Sequence, residues 1–219
     1  MIKLEHVVLA SPEQMSFIIQ GLRNPFNSHN KSDSEMLYGD PYCAPEDFKV
    51  GNNDRSLMQR LSKAGTDHRK FMRMMPVYVR ITAPLYWWKE FDTYKVSTVS
   101  NSCSTMHKIH ENEFTIEDFS CEHLYDDEYE LLKETIEVLN ADRKLYLESK
   151  KKNDWWQMIQ LLPSSYNQTR NVMMNYEVLA NIYWSRKDHK LDEWRELCKW
   201  IESLPLHELI DEMNSSEDG

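Results

Sequence analysis

The sequence predicts a single α+β domain in which helices predominate. Runs of β-branched residues near the start indicate strands, and longer segments with helical apolar spacing fill the last third. The 219 residues are enough to bury a substantial core, and 41% hydrophobic with 28% charged residues is typical of a globular protein. Because no repeat or linker divides the sequence, we expect one domain over residues 1–213 and a polar tail over residues 214–219.

The first predicted elements are a strand and a capped helix. Residues 3–10 are rich in aliphatic and β-branched side chains and predict a strand. Ser11 and Pro12 are typical of an N-cap followed by the first helical position, and Gln14 completes a capping box. We expect this helix to end near Gly21.

A long irregular segment separates this helix from the next elements. Residues 24–53 carry many Pro, Asn, Ser and Gly residues without periodicity, which predicts a loop. Asp54 is expected to cap a short helix that Gly65 ends. Residues 76–82 alternate apolar and polar side chains and predict a half-buried strand, and the aromatic segment 85–91 predicts a helix.

The last third of the sequence predicts three helices. An acidic stretch over residues 111–137 is typical of a solvated helix face. We expect further helices over residues 171–185 and 191–201, with punctuation at Pro163. A long helix precedes them, and its apolar positions are Leu132, Ile136, Leu139 and Leu145.

Charge and composition exclude several classes of function. With 36 acidic and 26 basic residues the net charge is −10, which disfavours nonspecific binding of nucleic acid. No window approaches the ~18 apolar residues of a membrane span, and the first residues lack the pattern of a signal peptide. The four cysteines are widely spaced, so we expect reduced thiols and a cytoplasmic protein that contacts neither membrane nor nucleic acid.

Metal and thiol chemistry find little support in the sequence. His107, His110, Cys121 and His123 match no standard zinc spacing, so no metal site is expected. No cationic residue adjoins Cys103 in the sequence to activate its sulfur, so we do not expect a catalytic thiol. The tryptophan pairs at 87–88 and 155–156 are either core residues or platforms for a planar ring.

Two stretches, residues 65–109 and 161–194, combine several functional residue types. On one helix, Asn175, Asn181 and Arg186 do not form a single stripe, because each residue advances the helix by ~100°. They therefore meet one ligand only in a crowded cleft or at an interface.

Landmarks in these stretches follow the order of a known family. They are Gly65, His68, Ala83-Pro84, Ser102, Leu162-Pro163, Thr169, Asn175, Asn181 and Arg186. On these residues the chain resembles a divergent flavin-dependent thymidylate synthase over about residues 1–205. The resemblance implies a small antiparallel sheet packed with long helices, as in thymidylate synthase-complementing proteins.

The resemblance also implies an activity. Such enzymes are methyltransferases that move a one-carbon unit from methylenetetrahydrofolate to C5 of dUMP or a related deoxypyrimidine monophosphate, making dTMP. They are homotetramers that bind FAD, with NADPH as co-substrate. No protein nucleophile is required, and Ser102 is expected to donate or accept a hydrogen bond at the substrate. The implied substrate-binding residues are Ser102, Arg186 and Lys89, and the implied cofactor-binding residues are His68, Asn175, Asn181 and Lys95.

The sequence departs from the family signature, an R-H-R triplet followed after seven residues by Ser. Asp92, Thr93 and Tyr94 occupy the triplet positions, and two further arginines are replaced by Ser104 and Ile159. Losing two charged hydrogen bonds costs about 10²–10⁴ in affinity. Lys89 and Lys95 can supply point charges in place of the arginines. Two alternatives therefore stay open: a catalytically inactive relative that keeps the tetramer and a nucleotide cleft, and a helical protein-interaction module.

Overall fold

The computed structural model describes residues 1–40 and 44–212, so the expected polar tail lies outside the described residues. The strands are β1 Lys3–Leu9, β2 Glu35–Leu37, β3 Asp47–Lys49, β4 Pro76–Pro84, β5 Val99–Ser102 and β6 Asn167–Asn175. The helices are α1 Pro12–Arg23, α2 Asn52–Lys63, α3 Leu85–Phe91, α4 Asp126–Ser149, α5 Lys152–Leu161, α6 Tyr176–Arg186, α7 Asp192–Glu202 and α8 Glu208–Asp211. Short 3₁₀ helices cover Asn24–Phe26, His29–Lys31, Arg69–Met74 and Ile116–Asp118.

The strands form a four-stranded sheet and a separate hairpin. The sheet has the order β1-β4-β6-β5, and β2 pairs antiparallel with β3. Strands β4 and β6 are antiparallel: the Leu85 amide donates to the Tyr166 carbonyl (3.0 Å), and the hydroxyls of Thr82 and Thr169 lie 2.7 Å apart. The α+β class with an antiparallel sheet and long helices is therefore confirmed.

Contacts between residues divide the chain into two compact units. The first contains Met1–Lys3, Arg80–Thr93 and Ser100–Asn171, and the second contains Leu4–Val79, Tyr94–Val99 and the described residues from Val172 onward. Each unit is assembled from separated segments of the sequence. The expectation of one domain over residues 1–213 stays a prediction.

The first unit has its core between the long helix α4 and helix α5. Leu132, Ile136 and Leu139 pack with Met158 and Phe114, and all are buried. The predicted long helix is thus confirmed, but its expected apolar residue Leu145 is 48% exposed because it lies off the buried face. Helix α5 was not predicted.

The second unit buries one face of α7 and almost all of α6. Trp194, Leu197 and Ile201 are at most 1% exposed, which confirms the helix predicted over residues 191–201. The helix predicted over residues 171–185 is wrong in its first part. Asn171 to Asn175 belong to strand β6 because they pair in the sheet, and the helix starts at Tyr176.

Local signals at the two N-terminal helices had different outcomes. The capping box of α1 is present, with the Ser11 Oγ accepting from the Gln14 amide (3.2 Å) and the Gln14 side chain accepting from the Ser11 amide (2.8 Å). The prediction that Asp54 caps α2 is wrong, since Gly51 is the N-cap. Asp33 instead accepts hydrogen bonds from the first-turn amides of α2.

Other expectations changed in detail. Strand β1 and the α1 start agree with the sequence, but α1 continues two residues past Gly21. The segment 24–53, predicted as a loop, contains the β2–β3 hairpin and two 3₁₀ turns. Among the described residues, no helix combines the length and apolarity that a membrane crossing needs.

Candidate functional site

The first unit holds a cluster of paired side chains centred on Arg170, a β6 residue. Its guanidinium donates to the Asp92 carboxylate (2.7 and 3.5 Å) and to the Gln168 amide oxygen (2.9 Å). It also stacks on the indole of Trp88, with 4.1 Å between Cζ and the ring centroid. We call Asp92, Arg170, Gln168 and Trp88 the Arg170 cluster. It holds Asp92, the first signature position, in an ion pair at the surface of the first unit, where the Asp92 side chain is 53% exposed.

The Arg170 cluster also anchors the chain next to Ser102. Gln168 donates through Nε2 to the carbonyl oxygen of Cys103 (2.8 Å), and the Cys103 amide donates to the Thr169 carbonyl (2.9 Å). Trp88 completes the ring of contacts by donating to the Gln168 carbonyl (2.9 Å). Ser102, the last residue of β5, is exposed beside this anchored backbone. Its hydroxyl is therefore presented from a fixed position in this unit.

The residues directly after Ser102 line a cavity of about 430 Å³ in the same unit. Cys103, Ser104, Lys108, Tyr166 and Thr169 are among the side chains that line it. Burial raises the pKa of Tyr166, with nearby Asp118 and Cys103 adding to the shift, so its hydroxyl stays neutral at pH 7. The cavity is thus lined by uncharged hydrogen-bonding groups, by the carboxylates of Glu111, Glu113 and Asp118, and by Lys108, which pairs with Glu111.

In the second unit, aromatic side chains hold Arg186 at the end of α6. Its Nε donates to the Tyr94 hydroxyl (3.0 Å), and its guanidinium stacks over Trp194 at 4.7 Å and Tyr94 at 5.8 Å. Tyr94 and Trp194 themselves meet edge to face. We call these three residues the Arg186 clamp. The third signature position is therefore a tyrosine that orients an arginine.

His68 lies at a second, largely apolar cavity in the same unit. This His68 cavity, of about 400 Å³, is lined by Leu22, Phe26, Phe71 and Met74, with Lys70 adding a cation and Asp67 an anion. Its volume falls within the range of small-molecule sites, and its walls suit a planar ring. Among the other implied cofactor residues, none lines this cavity.

The remaining predicted residues have different settings. Asn175 is the N-cap of α6, is 5% exposed, and spends its Oδ1 on the amide of Val178 (3.0 Å). Asn181 is exposed on α6, and Lys95 is exposed in the turn before β5. Lys89 is exposed on α3, on the side opposite the buried tryptophans. The structure therefore clamps Arg186, presents Ser102 and gives His68 a cavity, while only the Nδ2 of Asn175 remains for a ligand.

The tryptophan pair at 87–88 is a core feature. Both indoles are at most 1% exposed and pack with Phe91. Over residues 1–40 and 44–212, no group of three or more His, Cys, Asp or Glu side chains is placed to hold a metal ion.

Solved structures with the same architecture were found over nearly the full length of the chain. Thymidylate synthase X (ThyX) from Helicobacter pylori, solved with FAD and dUMP, matches with a TM-score of 0.67 and 18% identity, covering 97% of this chain and 98% of that one. A second Helicobacter pylori ThyX complex with FAD and dUMP matches over the same shares, with a TM-score of 0.64 and 17% identity. The chain has the fold of a flavin-dependent thymidylate synthase.

A related methylase shares the fold. The UMP/dUMP methylase PolB from Streptomyces cacaoi, bound with 5-Br dUMP, matches with a TM-score of 0.60 and 13% identity over 95% of this chain and 94% of that one. By sequence, no family model and no curated protein matches the chain. At these identities the likeness establishes the fold, which confirms the resemblance suggested by the sequence landmarks.

Sequence reasoning missed the arginine of the first cluster. Arg170 lies two residues after Gln168, and alternate residues of a strand share one face, so a strand prediction there would have paired them. A second signal was Asp92, since a carboxylate at a signature position otherwise held by a cation attracts a nearby cationic side chain.

Proposed function

We propose that the chain is a pyrimidine nucleotide methylase, which transfers a one-carbon unit from methylenetetrahydrofolate to C5 of dUMP or a related deoxypyrimidine monophosphate. The observation that carries this proposal is the likeness, over nearly the whole chain, to ThyX with FAD and dUMP and to the UMP/dUMP methylase PolB. NADPH is the proposed electron source. The shared fold supports a pyrimidine nucleotide as the substrate, and individual residues of the candidate sites support particular roles in binding it.

The His68 cavity supports FAD as the cofactor. Its apolar walls fit a flat ring, and His68 and Lys70 offer polar contacts beside that ring. When bound, FAD supplies the hydride that reduces the transferred carbon. Asn175 through its Nδ2, Asn181 and Lys95 are proposed to contact the same cofactor.

The Arg186 clamp supports a role in holding the pyrimidine. Because Tyr94 and Trp194 restrict the guanidinium, Arg186 loses little freedom when it binds the edge of a base. Ser102 is proposed to hydrogen-bond the substrate, and Lys89 to supply charge to it. Catalysis in this scheme depends on holding the rings in reactive orientation rather than on a protein nucleophile.

The Arg170 cluster favours a second candidate, an inactive relative that binds nucleotide. Asp92 neutralises Arg170 at the signature, so neither side chain offers free charge to a phosphate. An affinity for nucleotide phosphate below that of a typical family member is expected from this pairing. Binding of dUMP without methylation in the presence of FAD and folate would favour this candidate.

We further propose that the active form is a homotetramer. The side chains of Phe17, Val96, Val99 and Tyr125 are each more than 60% exposed, and burying such apolar area between subunits would favour association. Light scattering during size-exclusion chromatography is expected to give four times the chain mass, and a monomer at micromolar concentration would contradict the proposal.

Two titrations test the proposed function. Adding FAD to the purified chain is expected to shift the flavin absorbance bands and quench flavin fluorescence in a saturable way. Calorimetry with dUMP is expected to give saturable binding that Arg186→Ala weakens by about tenfold or more, while circular dichroism stays unchanged. Lys144→Ala, an exposed lysine on α4, serves as the control. Unchanged dUMP affinity in Arg186→Ala would remove this residue from the site.

A further inference from the structure

The second unit contains a basic cavity in addition to the sites described above. Its volume is about 570 Å³, and it opens beside α2 and the 3₁₀ turns that follow α1. Its principal lining residues are Phe26, Ser28, Lys31, Asn53, Ser56 and Arg60. We call this set the basic cavity. Phe26 also lines the His68 cavity proposed for FAD, whereas the other five residues belong to none of the proposed substrate or cofactor sites.

Helix α2 supplies one wall of the basic cavity. Asn53, Ser56 and Arg60 are spaced three and four residues apart, so they share one face of the helix. The opposite wall comes from the segment after α1. There Arg23 donates to the Ser28 carbonyl (3.2 Å) and hydroxyl (3.3 Å), which holds the turn that precedes Lys31.

The charges of this cavity are unbalanced in favour of cations. Arg23 also lines it, but its charge is matched by the buried carboxylate of Asp54 (2.5 Å). Within residues 1–40 and 44–212, Lys31 and Arg60 make no ion pair. Asp33 lies in the same segment, and its carboxylate accepts hydrogen bonds from the amides of the first turn of α2. Two positive charges therefore face one cavity in a protein whose net charge is −10.

We propose that the basic cavity binds a small organic phosphate that carries a planar ring, such as a nucleoside monophosphate. The phosphate is placed between Lys31 and Arg60, with Ser56 and Asn53 as hydrogen-bonding neighbours. Arg60 provides the planar fork that suits phosphate oxygens, and Lys31 provides a point charge. The ring lies toward Phe26, which is 49% exposed. This inference does not rest on the proposed methylase activity.

Phe26 also lines the His68 cavity, so the two cations are the cleaner target for a test. Calorimetry with AMP and the full chain, in a buffer free of phosphate, is expected to show saturable binding that weakens as salt is added. Lys31→Gln and Arg60→Gln are each expected to lower the AMP affinity by about tenfold, and the double variant by more. Lys144→Gln is the matched control and is expected to bind as the unaltered chain does.

Two further arms separate the sources of binding. Inorganic phosphate is expected to displace AMP but to bind more weakly, because it lacks the ring. Arg186→Ala is expected to bind AMP normally, so that failure here is distinguishable from failure of the methylase proposal. The inference is overturned if AMP gives no saturable heat, if Lys31→Gln and Arg60→Gln bind like the control, or if Arg186→Ala abolishes AMP binding.

Discussion

Removing one partner of the buried ion pair between Arg23 and Asp54 should strongly destabilise the second unit. The two side chains are 4% and 0% exposed and lie 2.5 Å apart. Asp54 also accepts hydrogen bonds from the hydroxyls of Ser32 and Ser34 (2.7 Å each) and from backbone amides of this segment. The carboxylate thus joins α1, α2 and the turn that precedes β2.

Asp54→Asn keeps the side-chain shape but leaves the buried guanidinium of Arg23 without an anion. Removing one partner of a buried pair costs about 3–5 kcal/mol, because the remaining charge is unpaired in a low-dielectric site. Urea unfolding followed by tryptophan fluorescence should therefore show a free energy of unfolding lowered by that amount at pH 7, with an earlier midpoint and an unchanged m value. This is a large fraction of the ~5–15 kcal/mol by which proteins are stable.

The pH dependence gives a second check on the same pair. Burial alone would raise the pKa of Asp54, but hydrogen bonds from Ser34, Ser32 and Arg23 outweigh it, and the pKa is lowered. Its stabilisation is therefore present above the ordinary carboxyl pKa and is lost as the pH falls through the lowered value. The difference between the unaltered chain and Asp54→Asn should shrink in acid.

An exposed pair provides the control for this experiment. Lys49 and Glu35 form an ion pair whose side chains are 67% and 58% exposed. Glu35→Gln should cost less than about 1 kcal/mol, because water screens this pair. The reasoning fails if Asp54→Asn loses no more stability than Glu35→Gln does, or if its deficit does not shrink at all as the pH is lowered below the ordinary carboxyl pKa.

Three other predictions concern the candidate sites. Tyr94→Phe removes the hydroxyl that accepts a hydrogen bond from Arg186. It should lower the free energy of unfolding in urea by about 1 kcal/mol and weaken dUMP binding measured by calorimetry. An unchanged dUMP affinity would show that the Arg186 clamp does not position the arginine. Asp92→Asn leaves Arg170 without its carboxylate partner and should tighten dUMP binding several-fold. Weaker dUMP binding would contradict the idea that the ion pair between Asp92 and Arg170 withholds positive charge from a phosphate. Cys103 is exposed and should react with a maleimide within minutes. Burial raises the pKa of Cys198 to about 12, and the same burial should protect this thiol until the chain unfolds. Mass spectrometry of the modified peptides measures the labelling of each cysteine.

Local signals were predictable where neighbours in sequence decide the structure. The capping box at Ser11 and Gln14 needs only four consecutive residues, and it formed as expected. Asp54 also has the residue type of an N-cap, but its partner Arg23 lies 31 residues earlier in the chain, and the distant pairing prevailed. The helix predicted from Asn171 starts only at Tyr176, because pairing with other strands makes residues 171–175 part of the sheet.

The candidate site shows the same division. The order of the landmarks from His68 to Arg186 was sufficient to predict the fold that the solved structures confirm. The order of the landmarks could not predict the Arg186 clamp or the Arg170 cluster. Tyr94 and Arg186 are 92 residues apart, and Asp92 and Arg170 are 78 residues apart. Such contacts depend on how strands and helices are assembled, which spacing along one element does not determine.

The proposed activity is tested most directly by following a labelled carbon atom. The purified chain is incubated with FAD, NADPH, dUMP and methylenetetrahydrofolate labelled with ¹³C at the methylene. The nucleotides are then separated, and their molecular masses are measured by mass spectrometry. A nucleotide heavier by one labelled methyl group, formed at a rate that depends on the amount of protein, is the predicted result. Recovery of only unmodified dUMP, under conditions where calorimetry shows it bound and the flavin spectrum shows FAD bound, would contradict the proposal that this fold catalyses methyl transfer here.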